Sequence, residues 1–193
     1  FDDAIGAIDL NVIFLLMGMM IFVGVMKKTG MFQFLAFKAY ALARGNVFVL
    51  ALVLQIITAV ISAFLDNVTT MLLVLPVTIE IAVTLKINPL VLLIPEVFAS
   101  NVGGTSTLIG DPPNILIGSA ADLSFVDFLL NLAPVVTLIL LAWIGMMRVM
   151  LYRRMDDDAD RLDRLALVDP AGAITDRPLM IRSLVVLGAT IIG

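Results

Sequence analysis

Long apolar runs separated by short polar breaks dominate this sequence of 193 residues and constrain its fold more than any other feature. The runs at 10–26, 47–65 and 125–150 approach or exceed the roughly 20 apolar residues that a helix needs to cross a bilayer. Only 15% of the residues are charged, whereas a soluble domain carries about a quarter. Mean hydropathy is +1.11. The sequence therefore predicts an all-α integral membrane protein whose surroundings are the lipid bilayer.

Several kinds of chemistry are excluded by composition. The chain contains no cysteine and no histidine, which rules out disulfides, thiolate metal sites and imidazole acid–base catalysis within it. No basic patch with interleaved aromatic residues is present, so nucleic-acid binding has no support. A phosphate-binding Gly-x-x-x-x-Gly-Lys motif is also absent, so an ATP-driven pump has none either. The one bound group that the sequence predicts is a Na⁺ ion, and no cofactor is expected.

The runs and breaks divide the chain into three predicted parts. Residues 1–154 form a first transmembrane region, with a hairpin at about 47–85 and a broken helix at about 88–121. Residues 155–178 form a polar loop, whose Asp- and Arg-rich run is typical of a solvated surface. Residues 179–193 begin another transmembrane helix. Because the first residue is Phe and this last apolar run stops at Gly193, we expect the first half of a longer membrane protein whose second half is missing.

The basic residues predict an orientation, because Lys and Arg accumulate on the cytoplasmic side of membrane proteins. If Lys27 lies inside, successive crossings bring Lys86 and then Arg153 to the same side. The opposite ends of the runs carry only acidic residues, such as Asp9 and Asp122. We therefore expect a plasma membrane of bacterial type with the three basic residues on the cytoplasmic side and the 155–178 loop with them.

Four acidic residues, Asp66, Glu80, Glu96 and Asp111, lie in the apolar regions without a neighbouring Lys or Arg. A charge at the bilayer centre costs about 3 kcal/mol or more, so each needs a proton, a cation or a base from elsewhere. Glu80 is close enough to Lys86 to reach the interface. The role of Glu96, in a helix broken by a preceding proline, stays open. Asp66 and Asp111 differ because each sits where the helix is interrupted.

The segment NVGGTSTLIGDPPN predicts a broken helix. Gly103 and Gly104 can end one helix near Ser100, because glycine adopts left-handed geometry cheaply. Pro112 and Pro113 can begin the next helix, after roughly ten irregular residues. The N-cap of this second helix is Asp111. In lipid such a break is tolerated only inside protein or beside a wet cavity. The alternative is a kinked helix whose glycines only permit close packing.

The two helix ends at this break predict a ligand site. The end of the first helix offers carbonyl groups to a cation, and the start of the second offers N–H groups near Pro113 and Asn114 to an anion. Broken helices near the bilayer midplane are typical of secondary transporters. Thr105 and Thr107, with the serine between them, add hydroxyl groups.

DNVTT is the second interruption. Its flanking runs, 47–65 and 71–85, are close to spanning length, so they fit either two full spans or a re-entrant hairpin. The tip has no Trp, Tyr, Lys or Arg to anchor it among headgroups, which favours the re-entrant form. The tip residues Asp66, Asn67, Thr69 and Thr70 are then buried, and Ser62 shares their face because it lies one helical turn earlier.

The segment SAFLDNVTTMLLVLP, followed by EVFASNVGGTSTLIGDPPNILIGSA, resembles the ion transporter superfamily. The similarity is closest to its arsenite permease and sodium/proton antiporter branch, which includes P-protein-like and citrate-transporter-like domains, and it covers residues 9 to about 154. The resemblance implies half of an inverted-repeat transporter, in which each half contributes one re-entrant hairpin and one broken helix. Dimers are common in this architecture, so a homodimer is an expected assembly.

The resemblance also implies roles for particular residues. In the related sodium/dicarboxylate cotransporters a Ser-Asn-Thr tip binds both sodium and a substrate carboxylate, and the matching positions here are Asp66, Asn67 and Val68. Ser62 and the Gly103–Gly104 turn match other sodium-site positions, and GDPPN replaces a Gly-Thr-Pro-Pro-Asn motif. Asp in place of Ser adds a titratable group to the cation site. Val in place of Thr removes a hydroxyl group, for which Thr69 can compensate, so the resemblance leaves dicarboxylate selectivity open.

The sequence thus predicts a secondary active transporter, not an enzyme, that moves a small anion or oxyanion of the arsenite, citrate or dicarboxylate type with Na⁺ or H⁺. The predicted substrate contacts are Asn67, Thr69, Thr70, Thr105, Thr107, Pro113 and Asn114. The predicted cation or proton site comprises Ser62, Asp66, Asn67, Gly103, Gly104 and Asp111, with Na⁺ at Asp66 and Asn67.

Three other functions are alternatives to this prediction. A Na⁺/H⁺ antiporter without an anion substrate is the main alternative, and a passive channel fits the broken helices less well. An intramembrane aspartyl protease would need Gly-x-Gly-Asp, but Leu108 occupies the first glycine position.

Overall fold

The computed structural model describes residues 10–44, 46–152 and 174–192. These residues form eight helices and no strand, so the predicted all-α architecture is confirmed for them. The helices are α1 (Leu10–Lys27), α2 (Met31–Ala43), α3 (Val47–Ser62), α4 (Asn67–Thr84), α5 (Leu90–Thr105), α6 (Pro112–Ala121), α7 (Phe125–Tyr152) and α8 (Arg177–Ile192). Arg153 and most of the predicted 155–178 loop lie outside the described residues.

Helix length separates the helices that are long enough to cross a membrane from those that are shorter. Residues 67–84 in α4 and 125–150 in α7 are long and apolar enough to cross a membrane. The segments Met17–Lys27 of α1 and Met31–Ala43 of α2 meet that test together, as a pair that is bent by 60°. Helices α3 and α5 have 16 residues each and extend only about 24 Å. Within the described residues there are thus two candidate spans, or three if the bent pair is one.

Helices α3 and α4 form the predicted hairpin, with a tight tip between them. Helix α3 begins at Val47 because the Asn46 side chain accepts a hydrogen bond from the Val49 N–H group at 2.9 Å. It ends at Ser62, before the tip. Helix α4 begins after Asp66, whose carboxylate accepts from the Thr69 N–H group at 2.8 Å. The DNVTT motif is therefore a helix start as well as a tip.

Helix α2 lies along the hairpin from tip to base. Its first turn packs in one apolar cluster with Leu73, near the tip. Its last turn packs in another cluster with Leu85, at the base. Lys27 and Lys86 therefore lie near opposite ends of α2, although the sequence predicts that they share one side of the membrane. Arg148 lies at the same end as Lys86, the hairpin base, over the ring of Phe48 at 5.4 Å.

Helix α5 is the central element and packs most extensively against α3, then α4 and α7. Its buried face consists largely of small residues: Ala99, Ser100, Gly103 and Gly104 are all buried. Helix α7 shows the opposite pattern, since large apolar side chains such as Leu138 and Val149 are exposed. An apolar outer surface around a small-residue interior is the packing expected in lipid.

Candidate functional site

The broken helix is present, but the glycine pair does not end its first half as predicted. Helix α5 continues to Thr105, so Gly103 and Gly104 are helical, and neither has a positive φ. The predicted end near Ser100 is therefore wrong. The irregular segment runs from Ser106 to Asp111 and is shorter than the ten or so residues expected. The two glycines lie within the helix because neighbouring backbones approach it too closely for a larger residue.

Three glycines bring backbones into direct contact. A Cβ atom on Gly103 would lie 2.6 Å from the Cα atom of Ala59, and one on Gly104 would lie 2.6 Å from the carbonyl oxygen of Gly110. A Cβ atom on Gly110 would lie 2.7 Å from the carbonyl oxygen of Ser62. No side chain fits at such distances. The end of α3, the end of α5 and the irregular segment therefore meet at these residues, and the glycines serve close packing at a true break.

Side-chain hydrogen bonds hold the irregular segment in place. The Thr107 hydroxyl group donates to the Ala63 carbonyl group at the hairpin tip and accepts from the Gly110 N–H group at 3.2 Å. The Asn114 amide donates to the Thr107 carbonyl group at 2.8 Å and to the Thr105 carbonyl group at 3.2 Å. The irregular segment is thus hydrogen-bonded to α6 through Asn114 and to the hairpin tip through Thr107.

Two residues of α5 that the sequence analysis did not select join the tip to the break. The Ser62 hydroxyl group donates to the Ser100 carbonyl group at 2.7 Å. The Ser100 hydroxyl group donates to the Asn67 carbonyl group at 2.9 Å, and the Asn67 amide donates to the Asn101 side chain at 2.9 Å. Ser100 lies one helical turn before Gly104. If the helix had been predicted to continue through the glycines, Ser100 would have been placed on the same contact face as Gly104.

Asp66 and Asp111 each lie at one of the two interruptions, which the contacts of Gly110 with Ser62 and of Thr107 with Ala63 bring together. Asp66 caps α4. Asp111 occupies the N-cap position of α6, as predicted, but its side chain makes no capping hydrogen bond. One positive charge placed near both carboxylates would be attracted by each of them.

The backbone groups expected to bind ligands are largely in use. The Gly103 carbonyl group accepts from both the N–H group, at 3.0 Å, and the hydroxyl group, at 2.5 Å, of Ser106. At the start of α6, Pro112 and Pro113 have no N–H group, and the Asn114 N–H group donates to the Asp111 carbonyl group at 3.0 Å. The predicted anion contact at Pro113 and Asn114 would require that bond to open.

The structure thus sorts the predicted site residues by location. Those at the contact between tip and break are Ser62, Asp66, Asn67, Gly103, Gly104, Thr107, Asp111 and Asn114. Thr105 is exposed and donates to the Asn101 carbonyl group of its own helix. Pro113 is exposed and Thr69 is half-buried. Thr70 is fully buried, and its hydroxyl group has no hydrogen-bond partner.

Comparison with known proteins gives one family and several relatives. The citrate transporter (CitMHS) family matches residues 1–193. A protein of Mycobacterium tuberculosis described as an uncharacterized transporter is 46% identical over 175 residues, which is 91% of this chain and 41% of that protein. The 46 kDa membrane protein of Mycobacterium leprae is 42% identical over 180 residues, 93% of this chain and 42% of the relative.

The human P protein is 43% identical over 152 residues, which is 76% of this chain and 18% of that protein. No solved structure matches the chain. The chain spans about two fifths of the length of the bacterial relatives. Its apolar helices, the hairpin docked on a broken helix and the match over the entire chain lead to one conclusion: this membrane protein chain belongs to the citrate transporter family.

Proposed function

We propose that the protein containing this chain is a secondary active transporter that moves a small anion or oxyanion coupled to Na⁺ or H⁺. One observation carries the proposal: the hairpin tip packs directly against the break between α5 and α6. Interrupted backbone in a membrane protein is tolerated where it is buried in protein or lines a wet cavity, and in secondary transporters such breaks commonly form the ligand site. Membership of a transporter family supports transport.

The coupling cation or proton binds at Asp66 in this proposal. Asp66 and Asp111 supply negative charge, while Ser62 and Asn67 orient the tip through their contacts with α5. Because both lone pairs of the Gly103 carbonyl oxygen are in use, Gly103 contributes close packing rather than a cation ligand. A cation at Asp66 cancels the local charge, so that an anion can then approach.

The anion binds to the uncharged polar groups of the first turn of α4. Asn67 supplies an amide, and Thr69 and Thr70 supply hydroxyl groups. The Thr70 hydroxyl group is buried and unpartnered, so a ligand that reached it would gain a hydrogen bond without breaking one. These groups would recognise an oxygen-rich anion without specifying citrate, another carboxylate or an arsenic oxyanion.

We further propose that the chain is one of two inverted repeats and that the cytoplasmic side of a bacterial plasma membrane faces the hairpin base, where Arg44, Lys86 and Arg148 lie. Arg44 follows α2, Lys86 follows α4, and Arg148 of α7 lies over Phe48. This chain contributes no cysteine, so a Lys86→Cys variant of the full-length protein, with any cysteine elsewhere replaced, tests the side directly. We expect an impermeant maleimide to label it only from the cytoplasm, and labelling from outside would invert the proposed orientation.

A Na⁺/H⁺ antiporter is the second candidate. The observation that favours it is the pair of carboxylates, Asp66 and Asp111, at the two interruptions that pack against each other. Such a pair can exchange Na⁺ for H⁺ without any anion.

A flux assay separates the two functions. The full-length protein is placed in liposomes with a pH dye inside, and Na⁺ is pulsed alone and then with citrate, other carboxylates or arsenite, with protein-free liposomes as the control. We expect flux only when an anion is supplied. Proton flux driven by Na⁺ alone would instead establish the antiporter, and the absence of both proton flux and uptake of labelled anion under every condition would contradict both.

A further inference from the structure

Glu96 is a buried acidic residue that the tip site does not use. It lies on α5 with its side chain 0% exposed. The Thr78 hydroxyl group, on α4, donates to Glu96 Oε1 at 3.0 Å. Glu96 Oε2 has no hydrogen-bond partner. A carboxylate with one neutral hydrogen bond is costly to bury, so its state of charge needs an explanation.

No cation in the surrounding helices explains it. Helices α3, α4 and α7 make the principal contacts with α5. Helix α3 contains no charged residue, and the one charged residue of α4, Glu80, is exposed. On α7, Asp127 lies in the first turn, and Arg148 lies over Phe48 at the hairpin base. Within these described helices, Glu96 therefore has no basic partner, and a proton is the simplest positive charge it can take.

The facing helix offers acceptors for such a proton. Gln55 and Thr58 of α3 are fully buried, and Gln55 Oε1 and Thr58 Oγ1 have no hydrogen-bond partner. A protonated Glu96 turns Oε2 into a donor, for which the unpaired oxygens of Gln55 and Thr58 are candidate acceptors. Unpaired groups of complementary type thus lie on the two helices that pack most extensively together.

Glu96 is also linked to the tip. Ser100 lies one helical turn after Glu96 on the same buried face of α5. The Ser100 hydroxyl group donates to the Asn67 carbonyl group, and Ser62 donates to the Ser100 carbonyl group. A movement of the hairpin against α5 would therefore change both the tip contacts and the Thr78–Glu96 hydrogen bond.

We propose that Glu96 is a second proton-binding site, separate from Asp66, which takes up and releases one proton in each transport cycle. This inference rests on the proposed function and assigns a buried residue outside the tip site to proton binding. Oε2 takes a proton from water on one side of the membrane, forming an O–H bond. That bond breaks when the hairpin moves, and the same proton passes to water on the other side.

The test is infrared difference spectroscopy of the full-length protein, combined with uptake in liposomes driven by a pH gradient. Glu96→Gln keeps an oxygen that accepts from Thr78 but cannot titrate, and Glu80→Gln changes an exposed carboxyl group of α4 as the control. We expect a carboxylic-acid C=O band that disappears at high pH in the wild type and in Glu80→Gln but is missing in Glu96→Gln. We expect proton-driven uptake to fall at least about tenfold in Glu96→Gln alone.

Each other outcome has a defined meaning. Proton-driven uptake at the wild-type rate in Glu96→Gln, or a Glu96 band that never changes with pH, would overturn the inference and leave Glu96 a structural hydrogen-bond partner. A band that titrates in a protein that moves no anion would support the proton site while refuting anion transport. Should Glu96→Gln fail to fold, Thr78→Val removes the one hydrogen bond to Oε1. An unshifted C=O band in that variant would overturn the inference.

Discussion

Replacing Asp66 with Asn is expected to weaken binding of the coupling cation, and so to shift cation-dependent transport to higher cation concentrations, while leaving the hairpin folded. Asn caps helices as well as Asp does, so the hydrogen bond from the Thr69 N–H group, 2.8 Å in the structure, is kept. What is lost is the negative charge at the tip. A hydrogen bond or contact to a charged group contributes about 2 kcal/mol, which corresponds to roughly a 30-fold weaker cation affinity.

The measurement is cation-dependent uptake of the anion by liposomes as a function of cation concentration, with the folded fraction checked by size-exclusion chromatography. Asp122→Asn is the matched control. It removes the same charge from an exposed position with a φ of 54°, a left-handed conformation that Asn tolerates well. Unchanged cation dependence in Asp66→Asn would mean that the coupling ion binds elsewhere, whereas an equal loss in both variants would point to a general surface-charge effect.

The helix starts and stops were predictable where the residue type itself enforces them. Pro112 and Pro113 cannot continue a helix but can begin one, and α6 begins at Pro112. Asp66 and Asn46 cap the helices that follow them. In each case a local property of the chain decided the outcome, so the hairpin and the second half of the broken helix could be predicted from the sequence.

The glycine pair shows where local reasoning fails. Gly103 and Gly104 permit a left-handed turn, but they equally permit two helices to touch, and nothing in the adjacent sequence distinguishes these uses. The deciding contact is with Ala59, which is remote in sequence. The Thr78–Glu96 and Asn67–Asn101 pairs were missed for the same reason, because each joins residues on two helices whose crossing is set by packing.

Replacing Gly110 with Ala is the structural change with the largest expected effect. A Cβ atom there would lie 2.7 Å from the Ser62 carbonyl oxygen and 2.9 Å from the Gly104 Cα atom. Both neighbours are backbone atoms, which cannot rotate away as a flexible side chain would. Overpacking of this kind costs about 1–3 kcal/mol. We expect a lower unfolding temperature in detergent, together with at least about a tenfold loss of transport because the tip is displaced from the break.

Gly145→Ala provides the matched control for that substitution. Gly145 lies in α7, and a Cβ atom there would meet nothing within 4 Å. Since Ala favours a helix over Gly by about 1 kcal/mol, this variant should be as stable as the parent or slightly more stable. Equal stability and transport in both variants would contradict the close contact of Ser62, Gly104 and Gly110. A loss confined to Gly110→Ala would show that transport depends on the hairpin tip being held directly against the break, where Asp66 and Asp111 come together.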